Sequence, residues 1–341
     1  MNSAARLEKQ NRPWFLLFVF CTSAALLLIG LLFSLKWGQA HISWHTLYEA
    51  LAYRGHDKQH LYIQTLRLPR ALTACMVGIQ LALAGLLTQL VTKNPLGSPH
   101  IFGINAGASL AVTLGLVLFA GGSLMQSIWL AFIGAAAGAA LVWLLAASGS
   151  EKQYVRLALG GITVHFLLSS LTQGMIILNQ YNTEGMLFWL VGSVNRAGWD
   201  EVRLLAPFFA AAIALIALMG RAFRLLLLDD EVAAGLGQRV LIARAIGVGL
   251  IILLAGSAVA LCGPIGFVCL IVPHISRALV GNRLAALVPL TGLLGGVMLV
   301  YADLLSRAIS YPFESPVGIV TSLIGGPFFI YLARRKGGGA R

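Results

Sequence analysis

A chain of 341 residues with 58% hydrophobic and only 11% charged residues, at a mean hydropathy of +0.85, is not a soluble globular domain, because such domains carry about 25% charged residues. Its apolar runs of about 20 residues suit helices crossing a hydrocarbon core of about 30 Å, whereas a transmembrane barrel would show alternating segments of about 10 residues. The net charge of +12 comes from 24 basic residues gathered at the ends of apolar segments, the ordinary bias of a membrane protein, so nucleic acid is not an expected partner.

Residues 1–13 carry Arg6, Lys9 and Arg12, and an apolar run follows from Trp14 to Leu35. That run exceeds the roughly 7–15 residues of a secretory signal, so it reads as a retained first helix with a cytoplasmic N-terminus. Residues 36–66 form the longest polar stretch, expected as an outer loop, with His41, His45, His56 and His60. His41 and His45 have the i,i+4 spacing of a helical pair, but no Cys or carboxylate pattern completes a metal site, and solvated loop histidines are expected.

Arg67-Leu68-Pro69-Arg70 then opens a span over 69–91, which stops at Asn94-Pro95-Leu96-Gly97-Ser98-Pro99. Further spans are expected at 100–120, 126–147, 156–178, 203–227, 240–261, 264–281, 285–306 and 316–333. With the first helix they make ten, and an even count places both termini on one side. With the N-terminus inside, sixteen Lys and Arg fall at inner ends and eight at outer ends, which supports an N-in, C-in arrangement. The outer eight are Lys36, Arg54, Lys58, Arg67, Arg70, Arg196, Arg203 and Arg307.

Small residues recur at four-residue spacing in Gly103/Gly107, Gly134/Gly138 and Gly292/Gly296, a spacing that lets helix backbones approach closely in lipid. Between the fifth and sixth spans, Met186–Val191 is apolar but too short to cross and reads as a re-entrant or interfacial piece. The largest inner loop, 228–240, places Asp229, Asp230 and Glu231 at a helix start and breaks at Gly235 and Gly237, either as a solvated connector or as a docking element for a soluble partner.

No catalytic constellation is present: the phosphate-binding GxxxxGK[ST], HExxH and GxSxG patterns are all missing. Asp303, His274 and His165 are ionisable groups within spans, and such groups are functional candidates by default. Asp303 lies four residues before Arg307, so an ion pair on one helix face is expected. The four cysteines, Cys21, Cys75, Cys262 and Cys269, sit within apolar segments without ligand spacing and read as small buried side chains.

The RLPR segment, the Asn94–Pro99 break and Gly103-Ile104-Asn105-Ala106-Gly107-Ala108 resemble the FecCD-type permeases of bacterial ABC importers, which take up iron-siderophores, haem or vitamin B12. Gly263-Pro264-Ile265-Gly266-Phe267, Val272-Pro273-His274-Ile275-Ser276-Arg277, Ala302-Asp303-Leu304-Leu305-Ser306-Arg307 and Pro316-Val317-Gly318-Ile319-Val320-Thr321 through Gly326-Pro327-Phe328-Phe329 follow in the same order. The resemblance runs from about Arg67 to the C-terminus. It implies an all-α permease of about ten transmembrane helices, a single membrane domain over 1–341 in the bacterial inner membrane, holding no cofactor and catalysing no covalent step.

The same resemblance implies the partners: a second permease subunit, identical or related, two cytoplasmic ATPase subunits and an extracytoplasmic substrate-binding protein. It assigns Arg67, Arg70 and Arg307 to docking of that protein's acidic residues, which guanidinium forks suit. It places Asp229, Asp230, Glu231, Ala234, Gly235 and Gly237 against the ATPase, and makes Thr172, Met175 and Val320 candidates for the pathway lining. Ferric siderophore is the favoured cargo, with haem and vitamin B12 as alternatives. Gly281-Asn282-Arg283 runs on into Leu284-Ala285-Ala286 where many relatives are more basic, a departure at one expected ATPase contact. The rival classes are an ion-coupled secondary transporter, for which Asp303 is the candidate acid, and a membrane-embedded enzyme.

Overall fold

The structure, a computed structural model, describes residues 13–38, 42–55, 57–119, 124–146, 153–179, 189–195, 197–309 and 313–337. Arg6, Lys9, Arg12, His41, His56, Lys152, Arg196 and residues 186–188 of the expected interfacial piece lie outside them; of that piece, 189–191 is helical. Among the described residues the chain is all-helical, without strands. Among the described residues seven helices are long and apolar enough to cross a membrane, and three shorter apolar helices follow the remaining expected spans, in line with the ten spans expected from the sequence.

In chain order the described α-helices, short connecting ones included, are α1 (Pro13–Lys36), α2 (Trp44–Leu51), α3 (Lys58–Tyr62), α4 (Leu68–Val91), α5 (Ile104–Leu118), α6 (Leu124–Ala146), α7 (Gln153–Leu178), α8 (Trp199–Leu218), α9 (Gly220–Leu225), α10 (Asp230–Gly235), α11 (Val240–Ile251), α12 (Ser257–Cys262), α13 (Val268–Val280), α14 (Leu284–Ile309) and α15 (Val317–Gly337). The chain forms two compact units: the described parts of Met1–Leu83, Ser193–Leu204 and Ile265–Arg341, and those of Ala84–Gly192 and Leu205–Pro264.

In the first unit, the polar stretch 36–66 is not an open loop. Ser43 caps α2, its hydroxyl accepting from the Thr46 N–H at 3.0 Å, which satisfies a free donor of the first turn. Leu47, Ala50 and Ile63 pack with Leu35 and Ala71 into a small core, where each buried Leu or Ile contributes about 1.5–3 kcal/mol. The expectation of solvated histidines is corrected here: His60 is 4% exposed, with its Nε2 3.4 Å from Glu49 Oε2, while His45 stays exposed beside the same carboxylate.

A π-helical turn, Ile63–Arg67, joins α3 to α4, with the Leu68 N–H donating to the Ile63 carbonyl five residues back. Pro69 lacks a donor and its ring crowds the carbonyl of the preceding turn; the wider turn absorbs both and lets one helix run through. Farther on, α4 meets α14 where Gly78 faces Gly295: a Cβ on Gly78 would lie 2.3 Å from the Gly295 carbonyl oxygen. The expected pair Gly292/Gly296 does not make this approach, since a Cβ on Gly292 would meet nothing nearer than 3.5 Å. Gly295, one turn-step away, faces the partner helix instead.

In the second unit the other two small-residue pairs do what their spacing suggests. A Cβ on Gly107 of α5 would lie 2.1 Å from the Gly134 carbonyl oxygen of α6, and one on Gly138 would lie 2.6 Å from that of Gly103. The break after α4 is a turn in which the Leu96 and Gly97 N–H groups donate to the Asn94 side-chain and backbone oxygens, both at 2.9 Å. A 3-10 turn over Pro99–Phe102 follows and ends at Gly103, at φ +67°, so α5 begins at Ile104, four residues later than expected.

Candidate functional site

The three arginines expected at a docking surface converge in the first unit. The π-turn places Arg67 at its end and Arg70 in the first turn of α4, while α14 presents Asp303 and Arg307 on one face. Asp303 is fully buried and accepts from two arginines. Arg70 Nε and Nη2 donate to Asp303 Oδ1 at 3.1 and 2.8 Å, and Arg307 Nη2 donates to Oδ2. The remaining donors of Arg70 go to Glu314 Oε2 at 2.6 Å and Asn195 Oδ1 at 2.9 Å. Arg307 also holds the Ser34 carbonyl and hydroxyl at 3.0 Å, and Arg67 holds the Leu35 and Lys36 carbonyls at 2.8 and 2.7 Å. The α1 carbonyls at its C-terminal end are thus satisfied by cations, as a helix end prefers.

Arg67, Arg70 and Arg307 are only 3%, 7% and 7% exposed, so their forks bind this chain's own oxygens in preference to open solvent. Three guanidinium groups against two carboxylates leave one positive charge in excess. A buried carboxylate persists only when paired and hydrogen-bonded, and Asp303 is both. Both of its oxygens are engaged by this chain's own guanidinium groups, which leaves the secondary-transporter reading without a free acid. The i,i+4 pairing of Asp303 with Arg307 is as the spacing suggests. Asn195 and Glu314, by contrast, reach Arg70 across 125 and 244 residues, and no local pattern marks them.

The α10 connector lies in the second unit. Asp229, Glu231, Ala234, Gly235 and Gly237 are exposed, and Val232 and Leu236, at 52% and 62% exposure, add an apolar surface that sequence reasoning passed over. Asp230 differs from its neighbours: it turns back to its own chain and pairs with Lys93 and Arg244. Burial alone would raise its carboxyl, but the Lys93 hydrogen bond and the Arg244 charge hold it below the ordinary value. The ion pairs are therefore present at neutral pH and are lost only as pH falls through that depressed value. Gly237 ends the connector at φ +80°, with the Gln238 N–H donating to the Ala233 carbonyl at 3.0 Å. Gly237→Ala should cost about 1–2 kcal/mol, seen as a lower thermal midpoint without loss of expression.

Among the lining candidates, Thr172 is buried and donates to the Leu168 carbonyl at 2.8 Å, Met175 is half-buried on the same helix, and Val320 is buried on α15. His274 lies edge-on to Phe328 with ring centroids 5.9 Å apart, and His165 lies 6.4 Å from the His100 ring. Among the described residues, no three His, Cys, Asp or Glu side chains are grouped to hold a metal ion.

Ten apolar helices among the described residues, with close glycine-mediated packing, make a multi-span helical membrane protein. The chain belongs to the FecCD transport family, whose model matches residues 26–335. It is 45% identical over 319 residues to the Fe(3+)-citrate import system permease protein YfmD of Bacillus subtilis (strain 168), covering 94% of this chain and 95% of that one. It is 39% identical to the probable siderophore transport system permease protein YfiZ of the same organism, over 96% of this chain and 98% of that one. A solved inward-facing structure described as a metal-chelate type ABC transporter superposes with a TM-score of 0.83 at 30% identity, covering 95% of this chain and 100% of that chain.

Proposed function

We propose that this chain is the translocation subunit of an ATP-driven importer of ferric chelates in the bacterial cytoplasmic membrane, with ferric siderophores, ferric citrate included, as cargo. The observation that carries the reading is near-full-length similarity to permeases of ferric import systems. Haem and vitamin B12 are the alternative cargoes. Both termini and α10 face the cytoplasm, as the excess of basic residues at inner ends supports.

The chain works as one permease domain beside a second permease subunit, a copy or a related chain. It holds no cofactor and performs no covalent chemistry. Two ATPase subunits meet the exposed acidic and apolar surface of α10. A binding protein delivers the chelate at the arginine end, where the excess positive charge of Arg67, Arg70 and Arg307 attracts its acidic residues. Thr172, Met175 and Val320 contribute to the pathway, and a bulky chelate is held there by shape, with no single ion pair needed.

The test is ATP hydrolysis by the purified permease–ATPase complex in lipid, with and without ligand-loaded binding protein, over a salt series. Stimulation that fades with rising salt is expected, because the long-range steering of an acidic partner by an excess of positive charge weakens with ionic strength. A complex that recruits no ATPase, or ignores the binding protein, contradicts the reading.

A further inference from the structure

Lys93, Asp230 and Arg244 come from three places in the chain and meet at one carboxylate, all within the second unit. Lys93 Nζ lies 2.8 Å from Asp230 Oδ1 and donates to the Leu228 carbonyl at 2.7 Å. Arg244 Nη2 donates to both Asp230 oxygens, at 3.0 and 2.9 Å. Lys93 follows the last turn of α4, Asp230 opens α10, and Arg244 lies in the first half of α11. One carboxylate thus links the connector to two apolar helices.

The backbone at Lys93 supplies an independent observation. Its φ is +51°, the left-handed conformation that ends many helices and strongly favours glycine there. Strain held at a non-glycine residue needs a reason in the surroundings. Here the reason is the side chain, since only a long cationic one reaches both Asp230 and the Leu228 carbonyl. Lys93 and Asp230 side chains are 29% and 46% exposed. A Lys93–Asp230 pair at such exposure contributes little to stability, so it is not explained as a device for holding the fold together; the pair of Asp230 with Arg244, whose side chain is 8% exposed, is the part that does.

We infer that Lys93, Asp230 and Arg244 form an ionic clasp that makes α10 move as one body with the adjoining ends of α4 and α11, so that a displacement applied to the connector reaches the membrane helices. The inference rests on the reading of α10 as the ATPase contact. Asp230 and Lys93 are then positioning residues: they touch no cargo and act through the helices they join. Asp229 and Glu231, on the exposed side, are left free to face the partner.

The test uses the whole importer in proteoliposomes, with radiolabelled ferric citrate as the transported probe, and reads two quantities: iron moved per ATP hydrolysed and the thermal midpoint of the complex. Lys93→Gly removes the ammonium while relaxing the backbone, Asp230→Asn removes the charge at constant shape, and Lys93→Arg keeps a cation. Lys93→Gly should keep the wild-type midpoint while iron moved per ATP falls about tenfold, a typical size for coupling between sites. Asp230→Asn should show the same fall together with a lower midpoint, because the nearly buried Arg244 loses its charge partner, and Lys93→Arg should retain most of the ratio. A wild-type ratio in Lys93→Gly overturns the clasp, as does a fall in its ratio that merely follows a fall in its midpoint. If wild-type protein neither engages an ATPase nor moves iron, the reading of α10 itself falls, and the clasp with it.

Discussion

Asp303→Asn should leave little folded protein. The substitution removes the charge shared by Arg70 and Arg307, both nearly buried, and turns one of the two acceptor oxygens into a donor facing a guanidinium. Breaking a buried pair by removing one partner costs about 3–5 kcal/mol, a large part of the 5–15 kcal/mol that a domain has in total. Size-exclusion profiles in mild detergent and thermal midpoints would show it as aggregation or a steep drop in midpoint. Glu314→Gln is the control: its side chain is 31% exposed and Arg70 keeps Asp303, so only a small shift is expected. The same variant separates the cluster's structural role from proton coupling. An Asp303→Asn protein that folds normally yet loses uptake would return Asp303 to the role of proton carrier.

Gly134→Leu should be as damaging, for a reason of space and not charge. A Cβ at position 134 already lies 2.3 Å from the Gly107 carbonyl oxygen and 2.4 Å from the Ala111 Cβ, where no rotamer can relieve the clash because the first obstacle is backbone. Even Gly134→Ala forces α5 and α6 apart, at about 1–3 kcal/mol for an overpacked site. Leucine adds three more carbons, and the helix pair cannot close. In lipid, where apolar burial gives no preference for protein over acyl chain, such close packing is what holds helices together. Gly292→Ala, whose Cβ has 3.5 Å of clearance, should keep a wild-type midpoint. Equal tolerance at Gly134 and Gly292 would contradict this account of the packing.

That contrast also marks what sequence reveals. Small residues at four-residue spacing announce close approach somewhere on a helix, and Gly107 with Gly134 fulfils it. Which glycine of the cluster Gly292, Gly295 and Gly296 meets α4 depends on how α14 is rotated, and spacing along one helix cannot fix a rotation that its neighbours decide. The ten apolar helices were legible because lipid demands length and apolarity, a one-dimensional constraint. The pairing of Asp303 with Arg307 was legible for the same kind of reason, being one helical turn apart.

The polar residues of the site were only half legible. Arg67 and Arg70 stand out as cations beside an apolar span, but their partners Leu35, Glu314 and Asn195 lie far along the chain. The π-turn that aims them follows from Pro69 only once the helix is known to continue through it. In sequence His60 reads as one more loop histidine, because the apolar set Leu47, Ala50 and Ile63 is too short and interrupted to announce a core. Asp230 reads as one of three equivalent acids, and only the fold sets it apart by turning it toward Lys93 and Arg244.

Whether ferric chelates cross at the expense of ATP is decided by iron accumulation in proteoliposomes holding the permease with the proposed ATPase and binding protein. Radiolabelled ferric citrate and a ferric hydroxamate should enter only with ATP on the α10 side and loaded binding protein on the other, and should do so with the proton gradient collapsed. Uptake that needs a proton gradient and proceeds without ATP would rule out ATP-driven import.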